Sequence, residues 1–363
     1  MSNELLSQAE SAYQSKELER SDALCRRRLR QSPIDAAALH LLGRIHVDRG
    51  DAIEGVRLIT QSLSYAPNNA DAWYDLGRHQ HSRRLYNEAS DSLKHAIQYR
   101  PDFFQAYKRL GRTYYALGRI KDAAELYAEW VRRDPTNAEA HHLLAATSGT
   151  NVPGRCSDEY VQDTFDGFSA TFDQRLGALN YRGPEIVAAA MTKHVGSDET
   201  LTAVLDAGCG TGLCGPLIRS YCLKLVGVDL SEKMLERARE RAVYDELAAG
   251  EICTYMESAP NRFDAIISAD VLVYFGDLER LMRTAASALK VGGIFIATTE
   301  ALTEDTSQPY KLEVHGRYSH RESYLREAIA KAGLEVVDMT LELIRMEGGR
   351  EAMGHAVTAR KPL

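Results

Sequence analysis

A chain of 363 residues, 44% hydrophobic and 26% charged, is globular in composition and long enough for two separate cores. Its net charge of −7, with lysine and arginine interspersed among acids, supplies no general attraction to phosphate backbones, so no nucleic-acid substrate is expected. The first ten residues are polar and acidic, and no run of 18 apolar residues occurs, so the expectation is a cytoplasmic protein without leader or membrane span. Six cysteines stand without a CxxC pair or a spaced histidine pair, which indicates neither a metal site nor a disulfide scaffold.

The first part of the chain repeats. Pro33, Pro67, Pro101 and Pro135 recur at one constant interval. In units 36–69, 70–103 and 104–137 the eighth position is Gly43, Gly77 or Gly111, preceded by Leu42, Leu76 or Leu110. Position four carries Leu39, Trp73 and Tyr107, and position twenty Gly55, Ala89 and Ala123, where two helices must cross closely. A degenerate first unit, 2–35, has Ala9 and Ser21 in the small positions, and Trp130 stands where the last unit calls for a small residue, predicting irregular packing. This pattern, period included, resembles the tetratricopeptide repeat (TPR) family and implies an all-α solenoid over 1–147, with a closing helix at 138–146. The resemblance also implies a groove that binds a protein or peptide. Arg78, His79, Lys108, Arg112 and Tyr115 are candidates to line it for an acidic or extended ligand, or else they are solvated surface. Residues 148–159, rich in Ser, Thr, Gly, Asn and Pro near their start, read as a linker.

Beyond the linker, Tyr160, Phe165, Phe168 and Phe172 fall at helical spacings with Asp166 and Asp173 between them, and Pro184 suits the first turn of a following helix. Then Ala203-Val204-Leu205 reads as a buried strand ending in Asp206, followed by Gly208, Gly210 and Gly212 before a helix at 213–221. Alternate glycines let a backbone close around a ligand, and the helix start points free N–H groups into the same space. A second strand, 224–229, ends in Asp229, one helical crossover beyond Gly212, where a ribose diol needs a carboxylate. Leu213 stands where a dinucleotide fingerprint has its third glycine, and no Gly-Lys-Ser/Thr of a P-loop occurs.

Asp206-x-Gly208-x-Gly210-x-Gly212 and Val228-Asp229-Leu230-Ser231 resemble the first two motifs of class I S-adenosylmethionine-dependent methyltransferases, and the likeness extends over residues 160–363. It implies a Rossmann-like α/β domain with a seven-stranded sheet and S-adenosylmethionine as cofactor. The implied cofactor contacts are Asp206, Gly208, Cys209, Gly210, Gly212, Asp229 and Leu230, with Met234 on helix 232–244 beneath the adenine. Glu251 and Ile252, read as opening the third strand, would meet the adenine amino group and ring. The aromatic stretch 160–179 is implied to be a lid, or it is a small satellite core; Tyr181 or Arg182 would reach the methionyl carboxylate.

The fourth strand, 263–268, places Asp270 and Tyr274 between cofactor and acceptor. No Asn/Asp-Pro-Pro-Tyr follows it, which weighs against methylation of DNA-base or glutamine amides. A helix at 277–289 and a fifth strand at 294–299 come next. The polar loop 303–309 and the cluster His315, Arg317, Tyr318 and His320 are candidates for the acceptor pocket, offering a base near neutral pH and a fixed cation, or they are a capping loop. A helix at 322–332 and a hairpin of 335–345 with 351–360 complete the sheet. Expected function is therefore methyl transfer to a protein, or to a molecule presented by one, recruited by the repeats. The alternatives are a small-molecule methyltransferase whose repeats serve oligomerisation, and a non-catalytic cofactor-binding scaffold.

Overall fold

Each proline of the periodic series stands three positions ahead of a helix, and for three of them the residue just before the helix caps it. Asp35, Asn69 and Asn137 accept N–H bonds from Ala38, Ala72 and Ala140 at 3.0, 3.1 and 2.9 Å. The computed structural model describes residues 2–195, 200–304 and 307–363 and divides into two units, 1–148 and 149–363. Asp305 and Thr306, part of the expected polar loop 303–309, lie outside the described residues.

The described part of the first unit is four helix pairs and a closing helix: α1 (Ser2–Gln14) with α2 (Leu18–Gln31), α3 (Ala36–Asp48) with α4 (Ala52–Tyr65), α5 (Ala70–Ser82) with α6 (Tyr86–Tyr99), α7 (Phe104–Ala116) with α8 (Ile120–Arg133), then α9 (Ala138–Ser148). The glycine of each regular unit explains the pairing. A Cβ on Gly43, Gly77 or Gly111 would strike Ile59, Leu93 or Tyr127, which sit at one and the same repeat position of the second helix. The degenerate first unit crosses in the same manner, with buried Ala9 and Ser21 joined by a 2.7 Å bond from the serine hydroxyl to the alanine carbonyl. Trp130 is 2% exposed, stacked at 5.8 Å on Phe104, so the last unit substitutes an aromatic core for a small residue.

The second unit opens with α10 (Asp158–Asp166), α11 (Phe172–Ala178) and α12 (Gly183–Val195), followed by β1 (Leu201–Ala207), α13 (Gly215–Ile218), β2 (Cys222–Asp229), α14 (Glu232–Glu240) and β3 (Glu246–Ala249). It continues with α15 (Ile252–Glu257), β4 (Phe263–Ser268), α16 (Glu279–Ala288), β5 (Leu289–Ala301), β6 (Tyr310–Leu312), β7 (Tyr318–His320), α17 (Glu322–Lys331), β8 (Glu335–Glu347) and β9 (Arg350–Arg360). Strand order is β3-β2-β1-β4-β5-β7-β6, with β9 antiparallel on β5 and β8 on β9. From β3 to β5 the strands are parallel, and their side chains alternate between two cores. Leu205, Ile266 and Phe295 face one, and Val204, Ile267 and Ile294 the other. Each such fully buried side chain contributes about 1.5–3 kcal/mol of burial free energy.

Several sequence expectations change here. The expected seven-stranded core is present, and among the described residues the sheet gains two strands because the segment expected to carry acceptor groups forms a hairpin, β6 with β7, turning at Gly316 (φ 92°). β3 lies at Glu246–Ala249, ahead of the expected position: Glu251 accepts N–H bonds from Cys253 and Thr254 at 3.0 and 2.9 Å, so it caps α15, and Ile252 begins that helix. Helix α14 stops at Glu240, and Ala242 turns the chain with φ 52° so that Tyr244 enters the core. The stretch 153–156, read as linker, is bonded into the second unit: Gly154 O accepts from Gly276 N and Asp277 N, and Cys156 N donates to Tyr274 O.

Candidate cofactor crevice and acceptor side

Strand order reverses between β1 and β4, and a doubly wound sheet collects its ligands outside the carboxyl ends of the strands at that reversal. What lies there is the glycine loop after β1, with Gly208, Gly210 and Gly212 at φ 79°, 55° and 81°. The three glycines differ in purpose. A Cβ on Gly208 would collide with Val271, and one on Gly212 would come within 2.8 Å of the Tyr244 ring, so both serve close packing. A Cβ on Gly210 would meet, among the described residues, nothing nearer than the Phe172 ring at 3.9 Å, so space is left there for a ligand.

Asp229 at the tip of β2 joins the two motif loops. One carboxylate oxygen accepts the Gly210 N–H at 2.8 Å, and the other the Ser231 N–H at 2.9 Å. Burial raises its pKa, against the pull of those N–H donors. Both oxygens keep lone pairs for further donors. Val228 O receives Gly208 N and Cys209 N, so the loop is closed before any ligand arrives. Leu230 is half-buried beside Asp229, Met234 is 1% exposed on the core side of α14, and Ile252 is 7% exposed.

Asp206 differs from its expected role. Its carboxylate is 1% exposed and accepts the Tyr244 hydroxyl at 2.7 Å, and burial pushes its pKa up to about 7. Cys209 is buried as well, with its thiol pKa raised by burial. Burial opposes the charge on Glu251, but N–H bonds from Cys253 and Thr254 outweigh it and hold the pKa below the usual carboxylate range; the carboxylate caps α15 with both oxygens.

The aromatic stretch lies against this crevice and is tied to both loops. Phe165, Phe168 and Phe172 form one cluster with ring centroids 5.7–6.0 Å apart, and Phe165 meets Tyr274 edge-on at 5.5 Å. Asp166 accepts the Ser231 hydroxyl at 2.5 Å. Asp173 accepts the Thr211 hydroxyl at 2.6 Å and Arg241 at 2.5 Å, while Arg241 Nε donates to Thr211 O. Thr211 and Arg241 were not singled out by sequence; only the interleaving of Asp166 and Asp173 with phenylalanines hinted at these ties.

On the far side, β4 and β5 lead to a buried ion network. Arg345 on β8 is 3% exposed and bonds both Asp270 oxygens at 3.1 Å, Glu347 at 3.2 Å, and Glu300 at the end of β5. Arg317 Nε meets Glu300 at 2.6 Å, and its other arm meets Glu347. Asp270 adopts φ 58° with its N–H on Thr298 Oγ1 at 2.8 Å, a left-handed conformation that costs a non-glycine residue about 1–3 kcal/mol. Tyr181 is half-buried, its hydroxyl pKa raised by burial and then by Asp270; Arg182 donates its backbone N–H to Ile344 O.

The expected acceptor cluster is therefore broken up. Tyr318 is fully buried with its hydroxyl on Pro153 O at 2.6 Å. His320 is also fully buried; its Nε2–H donates to Phe275 O at 2.7 Å, which leaves Nδ1 to accept from Thr299 Oγ1 at 2.7 Å. Burial drives its pKa to about 4. Both residues hold the hairpin in place. Arg317 is engaged by two carboxylates, so no free cation is offered there to an anionic substrate. His315 remains at the rim, 3.4 Å from Glu300, its pKa brought to about 4 by burial and then by Arg317.

A methyltransferase domain family matches residues 205–297, and two tetratricopeptide repeat families match 40–91 and 82–147. The chain carries an S-adenosylmethionine-dependent methyltransferase domain behind tetratricopeptide repeats. Human methyltransferase-like protein 27 is 29% identical over 152 residues, 40% of this chain and 60% of that protein. A ubiquinone biosynthesis O-methyltransferase of Methylobacterium nodulans is 25% identical over 60% of this chain and 99% of its own length. One of Coxiella burnetii is 31% identical over 26% of this chain and 42% of its own length. The [4+2]-cyclase SpnF, a solved structure, is 19% identical, with TM-score 0.47 over 58% of this chain and 98% of that one. The methyltransferase domain's residues fit the cofactor: an open glycine backbone at Gly210 beside the carboxylate of Asp229, at the reversal of strand order. Among the described residues no helix is long and apolar enough to cross a membrane. All six cysteines are buried, and among the described residues none forms a disulfide.

Proposed function

We propose that the methyltransferase domain transfers a methyl group from S-adenosylmethionine to an acceptor recruited by the repeats, a protein or a molecule presented by one. The observation that carries the cofactor half is the Gly210–Asp229 pair: an N–H bonded to a carboxylate that keeps lone pairs, at the reversal of strand order, where a ribose diol would donate. Bound there, the cofactor supplies an electrophilic methyl on a sulfonium. The chain's own part is to aim the acceptor and exclude water. Leu230 and Ile252 would pack against the adenine, with Met234 buried behind them, Asp229 would hold the ribose, and Phe165, Phe168 and Phe172 would cover the crevice. His315, neutral above about pH 4, faces the Arg317 N–H with one ring nitrogen and Glu300 with the other. Buried cysteines without a disulfide among the described residues support a reducing compartment such as the cytoplasm.

A small-molecule acceptor is the second reading, favoured by the two relatives named for ubiquinone biosynthesis O-methylation. Titration calorimetry with S-adenosylhomocysteine tests the first half: the full chain binds, and absence of heat at millimolar ligand refutes the site. Incubating the chain with methyl-labelled cofactor in a lysate then divides the readings. Label retained on protein supports the first, label in the small-molecule fraction the second, and no label despite cofactor binding leaves a scaffold.

A further inference from the structure

On the far side of the crevice two guanidinium groups face three carboxylates. Arg345 and Arg317 share Asp270, Glu300 and Glu347, and among the described residues no further Lys or Arg pairs with any of these acids. His315 adds no charge at neutral pH, since burial and then Arg317 bring its pKa to about 4. The imbalance extends outwards, because residues 149–363 hold 23 Lys and Arg against 32 Asp and Glu. A crevice with an excess of one sign of charge draws the opposite sign towards it.

An aromatic wall joins this network to the glycine loop. The Phe172 ring lies 3.9 Å from where a Cβ on Gly210 would stand, Phe165 meets Phe172 at 5.9 Å, and Tyr274 meets Phe165 at 5.5 Å. Half-buried Tyr181 and Tyr274 both lie in the field of Asp270. Burial and then Asp270 raise the hydroxyl pKa of Tyr181; burial raises that of Tyr274, with Arg317 opposing and Asp270 adding to the rise. Among the described residues neither hydroxyl makes a hydrogen bond. The cluster already takes one cation, Arg175 over the Phe168 ring at 5.4 Å. Aromatic faces beside carboxylates recognise an ammonium group, and tyrosine oxygens accept its N–H bonds.

An oxygen acceptor suits these groups poorly. A hydroxyl loses its proton as its bond to carbon forms, and both imidazoles on this side are engaged. His320 is held by Phe275 and Thr299, and His315 faces the Arg317 N–H and Glu300, each at 3.4 Å. A carboxylate acceptor would bring an anion to a network already short of cations. An amine needs neither a base nor a cation from the protein. It sheds one proton to water, its nitrogen lone pair forms the new N–C bond as the C–S bond breaks, and sulfur keeps the electron pair of that bond. The positive charge that sulfur loses reappears on nitrogen, beside the excess carboxylate.

We propose that the methyl acceptor is an aliphatic amine, the ε-amine of a lysine on the recruited protein, taken between the Phe165–Tyr274 wall and the carboxylates of Asp270, Glu300 and Glu347. This rests on the proposed methyl transfer and names its acceptor. The methylene stem of a lysine packs along apolar surface while its charged head reaches the network.

Methyl-labelled cofactor, added with the full chain to a lysate, tests the chemistry. Label that survives alkali and elutes after acid hydrolysis as a methylated basic amino acid is the expected result. Label released by alkali as methanol, found on oxygen, or confined to small molecules overturns the amine and leaves methyl transfer standing. No label while S-adenosylhomocysteine still binds removes methyl transfer, and the amine with it. A binding measurement needs no turnover. At matched ionic strength, n-butylammonium at about 50 mM raises the thermal midpoint of the S-adenosylhomocysteine-loaded chain about 2 °C more than n-butanol does. Glu347 is the most exposed of the three acids, its side chain 42% accessible, so its substitution disturbs the fold least. Glu347→Gln levels the charges and abolishes the difference between amine and alcohol, Glu347→Asp retains it, and S-adenosylhomocysteine affinity within about 2-fold of wild type shows that both variants fold. Equal shifts from amine and alcohol in the wild type, or a difference that survives Glu347→Gln, overturns the proposal; the wild-type comparison decides even where a variant does not fold.

Discussion

The two sides of the methyltransferase domain's crevice are built from different materials. On the cofactor side, backbone N–H groups of Gly210 and Ser231 converge on a single carboxylate, Asp229, all within one strand–helix–strand step of the chain. On the acceptor side, Arg345, Arg317, Glu300, Glu347 and Asp270 form a side-chain network whose members come from β5, β8 and the loops after β4 and before β7. A backbone cradle tolerates changes wherever space and φ allow, because its N–H donors belong to every residue type but proline. A buried network tolerates none of its members' loss, since each charge depends on the others.

The largest effect expected from this contrast is at Arg345. Replacing it with Met leaves Asp270, Glu300 and Glu347 with one guanidinium fewer, costing about 3–5 kcal/mol and lowering the calorimetric midpoint of the second unit by about 10 °C. A shift under about 1 °C would show that the network is not a unit. Next is Asp229→Ala, which strips two N–H groups of their acceptor and the ribose of its partner; S-adenosylhomocysteine affinity falls about 100-fold in calorimetry, with far less loss of stability than at Arg345.

The pH dependence separates the sides by sign. Asp206 has its folded pKa raised to about 7, so its contribution is complete below the unfolded value near 4 and is lost as pH rises to 7. His320, depressed to about 4, contributes fully above its unfolded value near 6.5, and this is lost as pH falls towards 4. Urea unfolding at pH 7 and pH 5 therefore tilts in opposite directions: relative to wild type, Asp206→Asn loses about 2 kcal/mol on acidification and His320→Asn gains about the same. The smallest effect is at the aromatic segment. Asp173→Asn weakens the ties to Thr211 and Arg241, and stopped-flow release of S-adenosylhomocysteine speeds up about 5-fold, with little change in unfolding free energy.

Residues close together in sequence were readable from it. The Pro33–Pro135 period, the glycines at 43, 77 and 111, and the run from Asp206 to Gly212 act through the backbone of their own neighbourhood, where spacing and residue type are the geometry. Glu251 was misplaced because a polar residue before Ile252 suits either a strand start or a helix cap, and only the N–H groups of Cys253 and Thr254 distinguish them. His320 and Tyr318 carried the right chemistry for an acceptor site. Their burial depends on Thr299, Phe275 and Pro153, the last of these far back in the chain.

The order of residues alone thus establishes the repeats, the parallel strands and the glycine loop, because hydrophobic period, turn chemistry and φ preference are local properties of a chain. Which charged groups stay available to a substrate was settled by folding. Arg317 became a buried partner of Glu300 and Glu347, while Arg112 stayed exposed, with no ion pair among the described residues, since desolvation and ion pairing depend on what the rest of the chain brings alongside.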